Sequence, residues 1–253
     1  MFALDSNGGP TARSWPLGSF RNRPAISKFS FDLSNSGSDI NLDILRVDPQ
    51  LSETIVAYQD RSPGEPYVFS VTGVELPPST DYVVFSERLK SGCFDSPPQP
   101  AVAGKVPILQ GFFLDYSRSN FDRNVQHLRV QVDTQQGTNS PIIRVCHADF
   151  NDDDQFNFVV RYALVDEAFV FGFEEFSKTK FGGGEDSTVT FSRPSNTVAV
   201  ITGFDLEFLN GDRDIDKIVV EANQDGRLFV DFSDQTVNDN YRWKVNLAYI
   251  GAE

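Results

Sequence analysis

Short runs in which apolar and polar residues alternate recur along the whole chain. Phe29 and Phe31, Tyr67, Phe69 and Val71, Phe156, Phe158 and Val160, and Tyr241, Trp243 and Val245 each sit two positions apart. A period of two puts these side chains on one face of a strand and their polar neighbours on the other. No stretch of 11 or more residues carries helical apolar spacing with start and stop signals. The best short candidate for a helix is 166–176, and even there Val170-Phe-Gly-Phe173 reads more naturally as a strand. The pattern predicts an all-β protein with Gly, Pro, Asn and Asp in its connections.

The alternating runs are also ordered alike. Gly111, Phe112, Leu114 and Tyr116 match Gly203, Phe204, Leu206 and Phe208 at one constant offset. Next, Asp122, Val125, Leu128 and Val130 match Asp212, Ile215, Ile218 and Val220. An aromatic-x-Asp segment follows in each copy, Phe150 with Asp152 and Phe232 with Asp234. A last strand then pairs Phe156, Phe158, Val160 and Ala163 with Tyr241, Trp243, Val245 and Ala248. The offset changes only between runs, where loops absorb insertions. A fainter third copy lies upstream. Phe29, Phe31, Asp39, Leu42, Leu45 and Val47 match Phe112, Leu114, Asp122, Val125, Leu128 and Val130 at a single offset, and Tyr58 and Asp60 supply its aromatic-x-Asp. An internal repeat of this length means several small units in one chain. The expected organisation is an irregular N-terminal arm over 1–24, a degenerate β-sandwich unit over 25–80, and further sandwich units over 81–166 and 167–253. Pro77-Pro78, Ser96–Pro100 and Gly182–Gly184 punctuate them. Each complete unit shows about six short strands, as an antiparallel sandwich does.

Composition narrows the functions. The chain has 23 Phe against one Met, and aromatics with β-branched residues suit a pleated, half-buried surface. With 36 acidic residues against 22 basic, the net charge is -14, which argues against nucleic-acid binding because phosphates need a basic field. The acidic residues are spread through loops and read as a solvated surface. No apolar run is long enough to insert in a membrane. Met1–Phe20 lacks the basic start and apolar core of a signal peptide, which leads us to expect a chain assembled into a particle or cytoplasmic before assembly.

At the third unit the residues resemble a family. Thr190–Pro194, Val198–Phe204, Ile215–Val220, Val230–Asp234 and Tyr241–Ile250 are similar to the motifs of H-type lectin domains, well over 168–250, moderately over 82–165 and poorly over 25–76. The resemblance implies an all-β fold of tandem antiparallel β-sandwich repeats with pseudo-threefold symmetry. It also implies recognition of galactose-type sugars. The family reads its sugar with an Arg ahead of the Ile in one strand and with a Trp in the aromatic-x-Asp segment. At the Arg position this chain carries Ile44, His127 and Lys217; at the Trp position it carries Tyr58, Phe150 and Phe232. Phe has no polar handle, and Lys does not replace the planar fork of Arg. The candidate glycan residues are therefore Asp152, Asp234, Phe150, Phe232, His127 and Lys217, and the competing reading makes the aromatics core or interface residues.

Other chemistry is thin. Asp149-Phe-Asn-Asp-Asp-Asp154 is rich in oxygen ligands but lacks EF-hand spacing and reads as a solvated loop. Asn210–Asp214 has the chemistry of a turn. Gly182–Gly184 precedes a strand, so it is no phosphate cradle. Cys93 and Cys146 are too few for an all-Cys zinc site. They form a disulfide if their strands face one another, and are otherwise two buried thiols. His127 and His147, both in the second unit, cannot equip three units with the same catalysis. We expect no enzyme, no cofactor and no metal residues. Two functions stay open: a structural protein of a phage tail, capsid or injection-type particle, whose partners are other subunits, and a lectin for cell-surface glycans.

Overall fold

The computed structural model describes residues 2–7, 13–16, 21–33, 42–60, 67–78, 80–117, 124–149, 155–181, 187–211, 215–234 and 240–251. Within them the chain is all-β. The first strands are β1 (Phe2–Asn7), β2 (Arg13–Pro16), β3 (Pro24–Asp32), β4 (Leu42–Pro49), β5 (Glu53–Asp60) and β6 (Val68–Glu75). Then come β7 (Asp81–Asp95), β8 (Lys105–Asp115), β9 (His127–Thr134), β10 (Pro141–Ala148) and β11 (Gln155–Asp166). After one 3-10 turn at Glu167–Phe169 follow β12 (Val170–Lys180), β13 (Ser187–Thr190), β14 (Thr197–Phe208), β15 (Ile215–Ala222), β16 (Arg227–Asp234) and β17 (Tyr241–Gly251). The strand reading of Val170–Phe173 therefore holds against the helical alternative.

Two antiparallel sheets pack their apolar faces together, as in a β-sandwich. One runs β1-β6-β3-β15-β16-β13, the other β12-β17-β14-β9-β10-β7-β11-β8-β4-β5-β2. The long sheet bends within β7, whose residues up to Ser91 pair with β11 while Gly92–Asp95 pair with β10. Leu89 and Gly92 make the bend with φ of 54° and 62°, a left-handed conformation that glycine adopts without strain. Within the expected N-terminal arm, Phe2–Asn7 and Arg13–Pro16 are strands. Backbone pairing recruits Phe2–Asn7 onto β6 and Arg13–Pro16 onto β5.

Three of the described strand pairs, β3 with β15, β4 with β8 and β9 with β14, have corresponding registers. Phe29 lies opposite Val220, Phe112 opposite Val47, and Phe204 opposite Val130. Two residues on, Phe31 faces Ile218, Leu114 faces Leu45, and Leu206 faces Leu128. The three phenylalanines that open these pairs are buried. Their rings meet in a triangle, with centroids 5.5 Å apart for Phe29–Phe112, 5.0 Å for Phe29–Phe204 and 5.3 Å for Phe112–Phe204. That spacing suits tilted and edge-on aromatic packing.

The glycine ahead of two of these rings has a steric cause. A Cβ on Gly203 would lie 2.6 Å from Gln131 Cγ, and one on Gly111 would lie 2.9 Å from the Val47 carbonyl oxygen. Strands β14 and β9, and β8 and β4, approach too closely there for any side chain. The third junction carries Lys28 instead, which reaches Glu221 at 3.1 Å. Just before each ring the ladder shifts by one residue, leaving Ser27, Gln110 and Thr202 as buried polar bulges. Ser27 Oγ donates to the Thr72 carbonyl and Thr202 Oγ1 to that of Asn246, both at 3.2 Å. A bulge flips the side-chain phase of a strand. Beyond it lies a second, smaller core that includes Ala25, Ile108 and Val200.

Candidate functional site

The sugar-reading positions that the structure describes are occupied by internal contacts. Phe232 on β16 is fully buried, stacked on Phe208 with centroids 4.1 Å apart and edge-on to Tyr241, so neither ring face is open to a ligand. Alternation on a strand whose one side faces the core puts it there. Tyr58 on β5 is buried as well, and its hydroxyl donates to the Ile215 carbonyl at 2.8 Å. Lys217 on β15 is partly exposed and pairs with Asp231 at 3.0 Å. Asp234 ends β16 opposite Ile215, near that pair. Phe150 and Asp152 lie outside the described residues, as does the acidic run after Asp149.

His127 stands apart from Lys217, on the other sheet, and its neighbours make the most chemically distinctive cluster among the described residues. Cys146 on β10 and Cys93 on β7 are register partners and are joined as a disulfide. Of the two cysteine readings left open by spacing, the bridge is the one found. His127 opens β9, and its Nδ1 lies 3.1 Å from Cys146 Sγ and 3.5 Å from Cys93 Sγ. Its Nε2 lies 2.6 Å from Asp205 Oδ1 on β14. Burial pulls the Asp205 carboxyl upward, but the hydrogen bond to His127, with the charges of His127, Arg129 and Lys244, holds its pKa below the ordinary carboxylate value. The sulfurs, ring and carboxylate come from four strands, with no short motif to announce them. Their one sequence signal is that both cysteines and His127 fall in one proposed unit. Beyond Asp205 the surface opens into a cleft of about 480 Å³ lined by Lys178, Arg242 and Lys244.

His147 plays a different part. It is buried, its ring 4.0 Å from Tyr116 and edge-on to Phe156, and no described residue hydrogen-bonds either nitrogen. Burial lowers its pKa to about 3, so the folded protein holds the ring neutral. The unfolded chain takes up a proton near pH 6.5, and the folded one resists until about pH 3. Stability from this residue is thus present above pH 6.5 and lost as pH falls, at about 1.4 kcal/mol per pH unit. Urea midpoints measured at pH 7 and pH 4.5 should show His147→Phe gaining about 2–3 kcal/mol on the parent at the lower pH. Equal acid losses in the two proteins would contradict the neutral, buried ring.

No family model matches this chain, and no curated protein matches it. A chain from a structure described as the triple jelly roll fold and turret assembly in an archaeal virus is 9% identical, with 95% of this chain and 83% of that one covered and a TM-score of 0.17. A TM-score this low carries no structural or functional implication for this chain. Among the described residues no helix is long and apolar enough to cross a membrane.

Proposed function

We propose that the chain is a covalent pseudo-trimer, with three tandem β-sandwich units closed about an axis through the Phe29, Phe112 and Phe204 triangle, and that it serves as a non-enzymatic structural subunit of a particle. The three corresponding registers and three corresponding bulges support the pseudo-threefold reading. Under it, β1 and β2 complete the first unit, and β7 serves both halves of the second by bending. The three units are then H-type lectin-like in strand plan but not in their sugar-reading residues.

One observation carries the assembly reading. The strand edges expose apolar rows, with Phe171 58% and Phe173 55% exposed on β12, and Val84 53% and Leu89 56% exposed on β7. Strand β12 is the end of its sheet, and an open edge bearing aromatic side chains is a template for another chain. Free proteins blunt such edges, and assembled ones cover them. The lectin reading is weaker because Phe232 and Tyr58 are buried and Lys217 is already paired.

Velocity sedimentation of lysate from the native source tests this. The chain should travel with a fast-sedimenting particle, and F171S/F173S should cut incorporation at least tenfold while the chain stays folded. Recovery of the parent as a free 28.2 kDa chain would overturn the assembly reading. Binding to galactose-type sugars on a glycan array, lost in Lys217→Ala and Asp234→Ala, would replace it with the lectin reading.

A further inference from the structure

We infer that the disulfide between Cys93 and Cys146 opens, in a thiol-reducing environment, into a zinc site completed by His127 and oriented by Asp205. With Nε2 of His127 held on Asp205 Oδ1, the ring turns Nδ1 toward both sulfurs. Once reduced, the two sulfurs become thiolates that can share a divalent cation with Nδ1. The ligand atoms of Cys93, His127 and Cys146 all lie within 4.8 Å of one another. In tetrahedral zinc, with Zn–S near 2.3 Å and Zn–N near 2.0–2.1 Å, neighbouring N and S ligands sit about 3.6 Å apart. The two His127-to-sulfur distances are close to that edge already, and only the sulfurs must separate.

The other features agree with a metal site. Zinc takes Cys and His ligands, and a ligating His commonly donates its second N–H to a carboxylate that fixes its tautomer. Asp205 stands where that partner is needed. Cys93 is exposed, which gives a cation an entry path. The site also ties β7, β10 and β9 together beside the junction of β9 with β14, and Lys217 and Ile44, at the positions matching His127, bring no sulfur. Opening the bridge takes two electrons and two protons from a dithiol, which itself becomes a disulfide. The two thiols then release two protons to solvent as they bind the cation.

Cobalt titration reads the site directly. The full-length chain, reduced under argon with a phosphine and shown by circular dichroism to keep its strands, should bind one Co2+ with thiolate-to-cobalt absorption in the near ultraviolet. Zn2+ should displace the cobalt, and the oxidised chain should show no such band. Cys93→Ser should reduce the charge-transfer intensity, and Asp205→Asn should weaken affinity about 10- to 100-fold. No charge-transfer band from the folded, reduced chain overturns the proposal. So does a cobalt affinity unchanged in His127→Ala, since two thiols alone would then account for binding.

Discussion

Phe204→Ala should lower the stability of the whole chain by about 3–5 kcal/mol, the range for truncating a buried aromatic. The ring is completely buried and touches Phe29 and Phe112 at 5.0 and 5.3 Å, so the variant loses two aromatic pairs and leaves a cavity at the centre of the main core. For a chain of this length that is a fall of roughly 10 °C in Tm. Because the three rings come from three proposed units, calorimetry should show one transition moving as a whole. The second truncation should also be the cheaper. Once Phe204 is gone, Phe29→Ala removes a ring already short of a neighbour, so the double variant should lose less than the two single losses combined. Phe181→Ala, at a ring 76% exposed, should change stability by less than about 0.5 kcal/mol. Two resolved transitions, one unmoved in Phe204→Ala, would show that the units fold independently and that the triangle does not hold them together.

That triangle also shows what could be read from sequence. Phe29, Phe112 and Phe204 align by spacing alone, as do Val47, Val130 and Val220. Period-two alternation is set by local backbone geometry, so it survives in the sequence. The apolar positions of the core were legible for the same reason, and Phe232 belongs among them. The strands at Phe2–Asn7 and Arg13–Pro16 were not legible because edge pairing depends on a neighbouring strand rather than on local pattern. The one-residue bulges at Ser27, Gln110 and Thr202 were invisible too, since a bulge is a relation between two strands. The Cys93, Cys146, His127 and Asp205 cluster was hidden for a stronger reason. Its side chains meet only after β7, β10, β9 and β14 are laid side by side. The sequence places Asp205 next to Phe204, and predicts nothing about a sulfur two strands away.

The ion pair that crosses from β4 to β11 should be the most sensitive polar contact. Asp48 is buried, with Arg46 Nη2 2.6 Å from its Oδ2 and Arg161 Nε 2.8 Å from its Oδ1. Gln50 Nε2 also donates to Oδ2, at 3.2 Å. Removing one member of a buried pair strands the others, at a cost of about 3–5 kcal/mol where desolvation is complete. Both guanidiniums here keep about a quarter of their surface in water, so Asp48→Ala should cost about 3 kcal/mol. The loss follows mainly from two unpaired cations facing each other. Arg161→Met in the Asp48→Ala background should therefore recover stability, although Arg161→Met alone destabilises. Replacing Asp48, Arg46 and Arg161 together by apolar residues of similar volume should come close to neutral, because desolvation of the charges is then no longer paid. Urea midpoints for the four variants measure this. If Arg161→Met costs the same with and without Asp48, the two charges are not coupled. The contact between the proposed first and second units would then rest on packing and backbone pairing alone.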